Sequence, residues 1–97
     1  MRHEIILAPE ASDQFQRLRA HIRAAVPDAL ETHLRFEPTK SRKSRIKRLR
    51  GMKRPQYRLR VDEVRVYYDV TEDTVEVLAI VAKSEAQAWL EEKGEWA

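Results

Sequence analysis

The chain reads as an α+β domain: a small antiparallel sheet with a two-helix hairpin packed on one face and a short C-terminal helix, in the order β-α-α-β-β-β-α. Three observations predict this. The second half carries three strand-like runs, Gln56 to Val61, Val64 to Val70 and Thr74 to Val81, separated by short polar reversals. The first half, after Pro9, instead spaces its apolar residues near a 3.6 period. The length, 97 residues, suits one domain spanning 1–97 with a modest core.

Each element has its own signal. Arg2 to Leu7 reads as a first strand, with His3, Ile5 and Leu7 on one face and Glu4 and Ile6 on the other. Pro9 stands where a helix begins, with Ser12 and Asp13 close behind. Phe15, Leu18, Ile22 and Ala25 form its apolar side, leaving Gln16, Arg17, Arg19 and Arg23 outward. Pro27 interrupts this helix. Asp28 to Glu37 resumes as a second one with Leu30 and Leu34 inward, and Pro38 closes it.

From Thr39 the chain is basic and begins without an apolar period, as a loop does. Ile46 to Arg50 alternates enough for a short strand before Gly51, and Met52 to Pro55 reads as a turn or loop. In the next strand Tyr57, Leu59 and Val61 oppose Arg58 and Arg60. Asp62-Glu63 is a tight reversal lacking the glycine that two-residue hairpins prefer. Val64, Val66, Tyr68 and Val70 then oppose Arg65, Tyr67 and Asp69. Thr74 to Val81 is apolar at most positions, as a central strand is. Lys83 onward is helical in composition, with Ala86, Trp89 and Leu90 as its apolar side. The tail from Gly94 to Ala97 is free to fray, with Trp96 as its candidate anchor. The Trp and Phe residues read as core packing.

Charge is unevenly placed. Lys40 to Arg60 holds eleven Lys and Arg and no Asp or Glu, in a chain whose net charge is +3. A cationic block between neutral and acidic flanks is a site for a polyanion; the same composition also suits a solvated loop. Helices on the sheet's apolar face would leave the other face displaying Arg58, Arg60, Arg65 and Tyr67. Like charges on paired strands repel. Either Asp69 and Glu76 balance them in a solvated polar face, or an anion bridges them. The guanidinium fork matches phosphate oxygens. The preceding run, with Lys40, Arg42, Lys43, Arg45, Lys47, Arg48 and Arg50, could extend the same face into a nucleic-acid groove. Tyr67 would offer a base a stacking surface.

Other chemistries fit poorly. With no cysteine there is no disulfide and no thiolate metal site, which fits a cytoplasmic location. No segment reads as a signal peptide or membrane span. His3, His21 and His33 are scattered and lack metal-ligand spacing. With two glycines there is no phosphate loop, and no serine sits in a nucleophile elbow. No cofactor or metal is expected.

Several short pieces, LRGM from Leu49, YRLR from Tyr57, VRVYYDV from Val64 and VEVLAIVAK ending at Lys83, resemble the RelE/ParE superfamily of type II toxins, particularly its RelE-like branch. The resemblance implies a metal-independent endoribonuclease that cuts messenger RNA in the ribosomal A site by attack of the 2′-OH on the adjacent phosphate. It also implies a cognate antitoxin. Arg58 and Arg60 match the family's paired basic residues, and Arg65 matches the arginine after the hairpin, which would stabilise charge on the phosphate. Lys83 is present, but Ser84 stands about where the family has an arginine, and no tyrosine follows in the last helix. Arginine is a poor base, so Lys83 or Tyr67 is left to take the 2′-OH proton. Two other readings remain: a ParE-like gyrase poison, and an RNA- or ribosome-binding module without chemistry.

Overall fold

The computed structural model describes residues 1–41 and 45–97. In chain order the elements are β1 (Glu4–Leu7), α1 (Pro9–Gln16), α2 (Ala20–Leu34), β2 (Ile46–Arg48), β3 (Met52–Arg54), β4 (Tyr57–Val61), β5 (Val64–Val70), β6 (Thr74–Ala82), a 3-10 turn (Lys83–Glu85), α3 (Ala86–Lys93) and β7 (Glu95–Trp96). The main sheet runs β1-β6-β5-β4-β2, and β3 pairs with β7 in a small second sheet. The expected α+β order and the β4-β5-β6 antiparallel meander are present, and β6 is central, between β5 and a parallel β1.

The helical hairpin breaks in a different place from the one Pro27 suggests. Pro27 lies inside α2, and the chain turns earlier, between Gln16 and Ala20. Packing explains the outcome. Ile22, Val26, Leu30 and Leu34 recur every four residues and all are buried, a stripe that only an unbroken helix aligns. Pro27 is on the exposed side, where the carbonyl it leaves unbonded meets water. At the actual break, the Arg23 guanidinium donates to the carbonyls of Gln16 at 3.3 Å and Leu18 at 3.2 Å, satisfying free acceptors where the chain leaves α1.

The α2 stripe and Ala11 of α1 pack on one sheet face, against Leu59, Val66, Tyr68, Val75, Val77 and Ile80 among others. Tyr68 is fully buried, and its hydroxyl donates to the Pro38 carbonyl at 2.7 Å. A bulge in β6 shifts its register between Tyr67 and Tyr68, so that Val77 and Ile80 both reach this core while Ala79 turns to the other face. That is why β6 does not alternate cleanly. The glycine missing from the β4–β5 reversal is replaced by Asp62 at φ 51°, a conformation Asp tolerates better than most residues.

The second face is covered too. Met52, Tyr67, Ala79, Ala86 and Leu90 form a smaller cluster, with Leu49, Val81 and Trp89 against it. Met52 to Arg54, read as a turn, is strand β3, and the tail read as free to fray is its partner β7. Gly94 permits this pairing, because a Cβ there would stand 2.4 Å from Met52 Cε and 2.5 Å from the Leu90 carbonyl oxygen. The core reading of the large aromatics fails at Phe36 and Trp96, which are 60% and 55% exposed. No helix among the described residues is long and apolar enough to cross a membrane.

Candidate nucleic-acid interface

The β4–β5 register sets Arg58 opposite Tyr67 and Arg60 opposite Arg65. All four share the face that α3 partly covers, so two of them are not displayed as the alternation suggests. Tyr67 is 2% exposed and stacks on Trp89, with ring centroids 5.2 Å apart and planes 6° from parallel. Its ring is therefore closed to a base, contrary to the sequence expectation. Arg65 is 7% exposed. Its Nη1 donates to the carbonyls of Asp62 at 3.1 Å and Val64 at 2.9 Å, closing the reversal from beneath. Burial lowers its pKa, and the neighbouring Arg58 and Arg60 charges lower it further. Burial raises the Tyr67 pKa, and the charges of Arg58 and Arg65 only partly oppose that shift.

Between the β2 end of the sheet and α3 lies a cleft lined by Lys47, Arg58, Arg65 and Lys83, with Tyr67 and Gln87. Among the described residues it has four cationic side chains and no carboxylate. Lys83 arrives there because its backbone N–H donates to the Glu63 carbonyl at 2.8 Å, docking the 3-10 turn on the β4–β5 reversal. The Arg58 Nε is buried and has no hydrogen-bond partner among the described residues. Leaving a buried charged donor unsatisfied is unfavourable, and an anion in this cleft would satisfy it.

The expected balancing acids are committed elsewhere. Asp69 and Glu76 bind Arg54, at 3.4 Å to Nε and 3.3 Å to Nη2. Asp69 also accepts the Gln56 backbone N–H at 2.8 Å. Its pKa is nonetheless raised, because burial outweighs the Gln56 hydrogen bond and the Arg54 charge. Asp69 and Glu76 thus do not line the cleft, while Arg65 and Lys83 also border a recess that holds Asp62 and Glu63.

The remaining predicted residues disperse around this cleft. Arg60 lines a separate recess with Asp62, Glu63, Arg65, Lys83 and Ser84, on the far side of Lys83. Arg48 lies over the Tyr57 ring at 5.3 Å and donates to the Gln56 carbonyl at 2.7 Å. Together with Lys47, Arg48 and Arg50 line a neighbouring recess that Trp96 bounds. Arg45 is exposed beside β2, its carbonyl bonded by the Arg60 N–H at 2.9 Å. Lys40 pairs with Glu37 at 3.7 Å, beyond the end of α2. Arg42 and Lys43 lie outside the described residues. Gln87 and Trp96 were not singled out from the sequence as ligand-facing. The one available signal for Gln87 was its place on α3 between Ala86 and Leu90; Trp96 gave none, since its position depends on pairing with β3.

The chain belongs to the family described as the ParE toxin of type II toxin–antitoxin systems, whose profile matches residues 5–87. Its fold is similar to that of the crystallised RelBE2 toxin–antitoxin complex of Mycobacterium tuberculosis, with TM-score 0.69 and 21% identity over 86% of this chain and 100% of that one. It is also similar to the RelE–RelB complex of Pyrococcus horikoshii OT3, with TM-score 0.70 and 20% identity over 86% and 97% of the two chains. A third likeness is to the RelB–RelE complex of Methanococcus jannaschii, with TM-score 0.66 and 20% identity over 87% and 96%. At such identities the likeness carries the fold. No curated protein sequence matches the chain significantly.

Proposed function

We propose that this toxin is a metal-independent endoribonuclease acting on ribosome-bound messenger RNA, held inactive by a cognate antitoxin across the same basic face. The observation that carries the reading is the buried Arg58 Nε, which has no partner among the described residues, in a cleft that those residues line with four cations and no carboxylate. A phosphodiester supplies what that cleft lacks. Arg58 and Arg65 hold the phosphate and stabilise the added charge of the phosphorane-like transition state. Lys83, in its neutral amine form, takes the 2′-OH proton; a guanidinium has no accessible neutral form for that task. The 2′ oxygen bonds to phosphorus, the bond from phosphorus to the 5′ oxygen breaks, and the products are a 2′,3′-cyclic phosphate and a free 5′-OH. Tyr67, which burial keeps protonated, donates the proton to the departing 5′ oxygen.

Primer extension on a reporter mRNA in a translating extract tests this. Wild type should leave ribosome-dependent cuts. Lys83→Gln should reduce them about 100-fold, within the usual range for loss of a proton-transfer group. Tyr67→Phe keeps the ring on Trp89 and should cost a similar factor. Arg65→Ala is a poorer probe, because Arg65 also holds the β4–β5 reversal together. Uncut mRNA with folded wild type would overturn the reading.

A gyrase poison is the second reading, favoured by the match to the ParE family profile. It predicts altered DNA supercoiling by gyrase and intact mRNA.

A further inference from the structure

Beside the phosphate cleft stands an aromatic residue that the fold holds in place without burying it. Trp96 is 55% exposed. Its backbone is fixed on both sides: it pairs opposite Met52 in β3, and the next residue, Ala97, donates its N–H to the Gly51 carbonyl at 2.8 Å. The return from α3 that brings it there depends on Gly94, since any Cβ would run into Met52 and Leu90. Backbone hydrogen bonds thus set the position from which the exposed indole projects beside the recess.

Its surroundings are cationic. Trp96 bounds a recess lined by Lys47, Arg48 and Arg50. Lys47, Leu49, Gln87 and Leu90 line both this recess and the phosphate cleft, so the two share a wall and form one groove. Among the described residues six cations, Lys47, Arg48, Arg50, Arg58, Arg65 and Lys83, line that groove, and no carboxylate does. Cations that follow a phosphate backbone toward a fixed aromatic face are what single-stranded nucleic acid requires. An apolar protein segment would have to desolvate the same cations with nothing to pair them.

We propose that Trp96 is a base-stacking platform for a nucleotide flanking the one whose phosphate lies at Arg58. The proposal rests on the RNA reading above and extends its substrate site along the single strand.

The test is the affinity of the full chain for a short single-stranded RNA that is 2′-O-methylated throughout and therefore cannot be cleaved, measured by fluorescence anisotropy over a salt series. Trp96→Ala should weaken binding about tenfold, as loss of one stacked base does. Trp96→Phe should keep most of the affinity. Both should retain the wild-type salt slope, because no phosphate contact is lost. Gly94→Ala keeps the indole but displaces its strand, and should reproduce Trp96→Ala. Arg58→Gln tests the parent reading separately: it should weaken binding and make the slope shallower. If Arg58→Gln does so while Trp96→Ala binds like wild type, the platform is refuted and the phosphate cleft stands. If wild type shows no salt-dependent binding, both fall. If Trp96→Ala loses antitoxin affinity but not RNA affinity, Trp96 belongs to a protein interface and the proposal is overturned.

Discussion

The two faces of the main sheet are built to different ends. The helical-hairpin face buries a continuous apolar cluster in which Val26, Leu34, Leu59, Val66, Tyr68, Val75 and Val77 are fully enclosed. The opposite face has a thin cluster under α3, and its polar residues crowd the edge of that cover: Arg65 buried, Tyr67 stacked under Trp89, and Arg58 with a buried donor that has no partner among the described residues. One face secures the sheet. The other holds like charges at close range, an arrangement an isolated sheet would resist and which the first face stabilises. Unfavourable local electrostatics on an otherwise well-packed domain is the pattern expected of a ligand site.

Substitutions should separate the two faces. Leu59→Ala, in the thick core, should cost about 3–5 kcal/mol of unfolding free energy in a urea titration. Leu90→Ala, under α3, should cost nearer 2 kcal/mol, the low end for such truncations, and hydrogen exchange should rise in α3 while β5 and β6 stay protected. Equal losses, or global opening from Leu90→Ala, would erase the distinction. Lys83→Gln is exposed and should leave stability within about 0.5 kcal/mol while abolishing most cleavage; a large stability loss would mean Lys83 is structural.

The smallest effect concerns pH. Burial raises the Asp69 pKa in the fold above its ordinary 3.8. The folded state then binds the proton more tightly than the unfolded one, so this group's stabilising contribution is present below that value and is lost as pH rises through the folded pKa. Relative to Asp69→Asn, wild type should lose stability as pH climbs from about 4. A difference that grows in the opposite direction would show that the Arg54 charge, not burial, governs the site.

How far the sequence foretold this follows the range of each signal. Alternation in β4 and β5 and the stripe from Ile22 to Leu34 are local, and they placed the sheet and the helices. The position of the helical break was misread because Pro27 is a local breaker, whereas the stripe on either side of it gains from continuity. The pairing of β3 with β7 joins Met52 to Trp96 across most of the second half of the chain, and nothing in either short segment announces it. The same distance hid the cover over Tyr67. Periodicity identified Trp89 as apolar-facing, but not which sheet face α3 would meet. The charges of the cleft were legible; the diversion of Asp69 and Glu76 to Arg54 was not.

The central claim is that the thin face is a phosphate site organised on Arg58. The most direct measurement is side-chain NMR of the arginine Nε–H groups during titration with a non-cleavable RNA dinucleotide. The Arg58 Nε–H signal should shift most and become protected from solvent exchange, while Arg23, on α2 at the helical-hairpin face, barely moves. Equal small shifts at all arginines, or an unmoved Arg58, would contradict the claim.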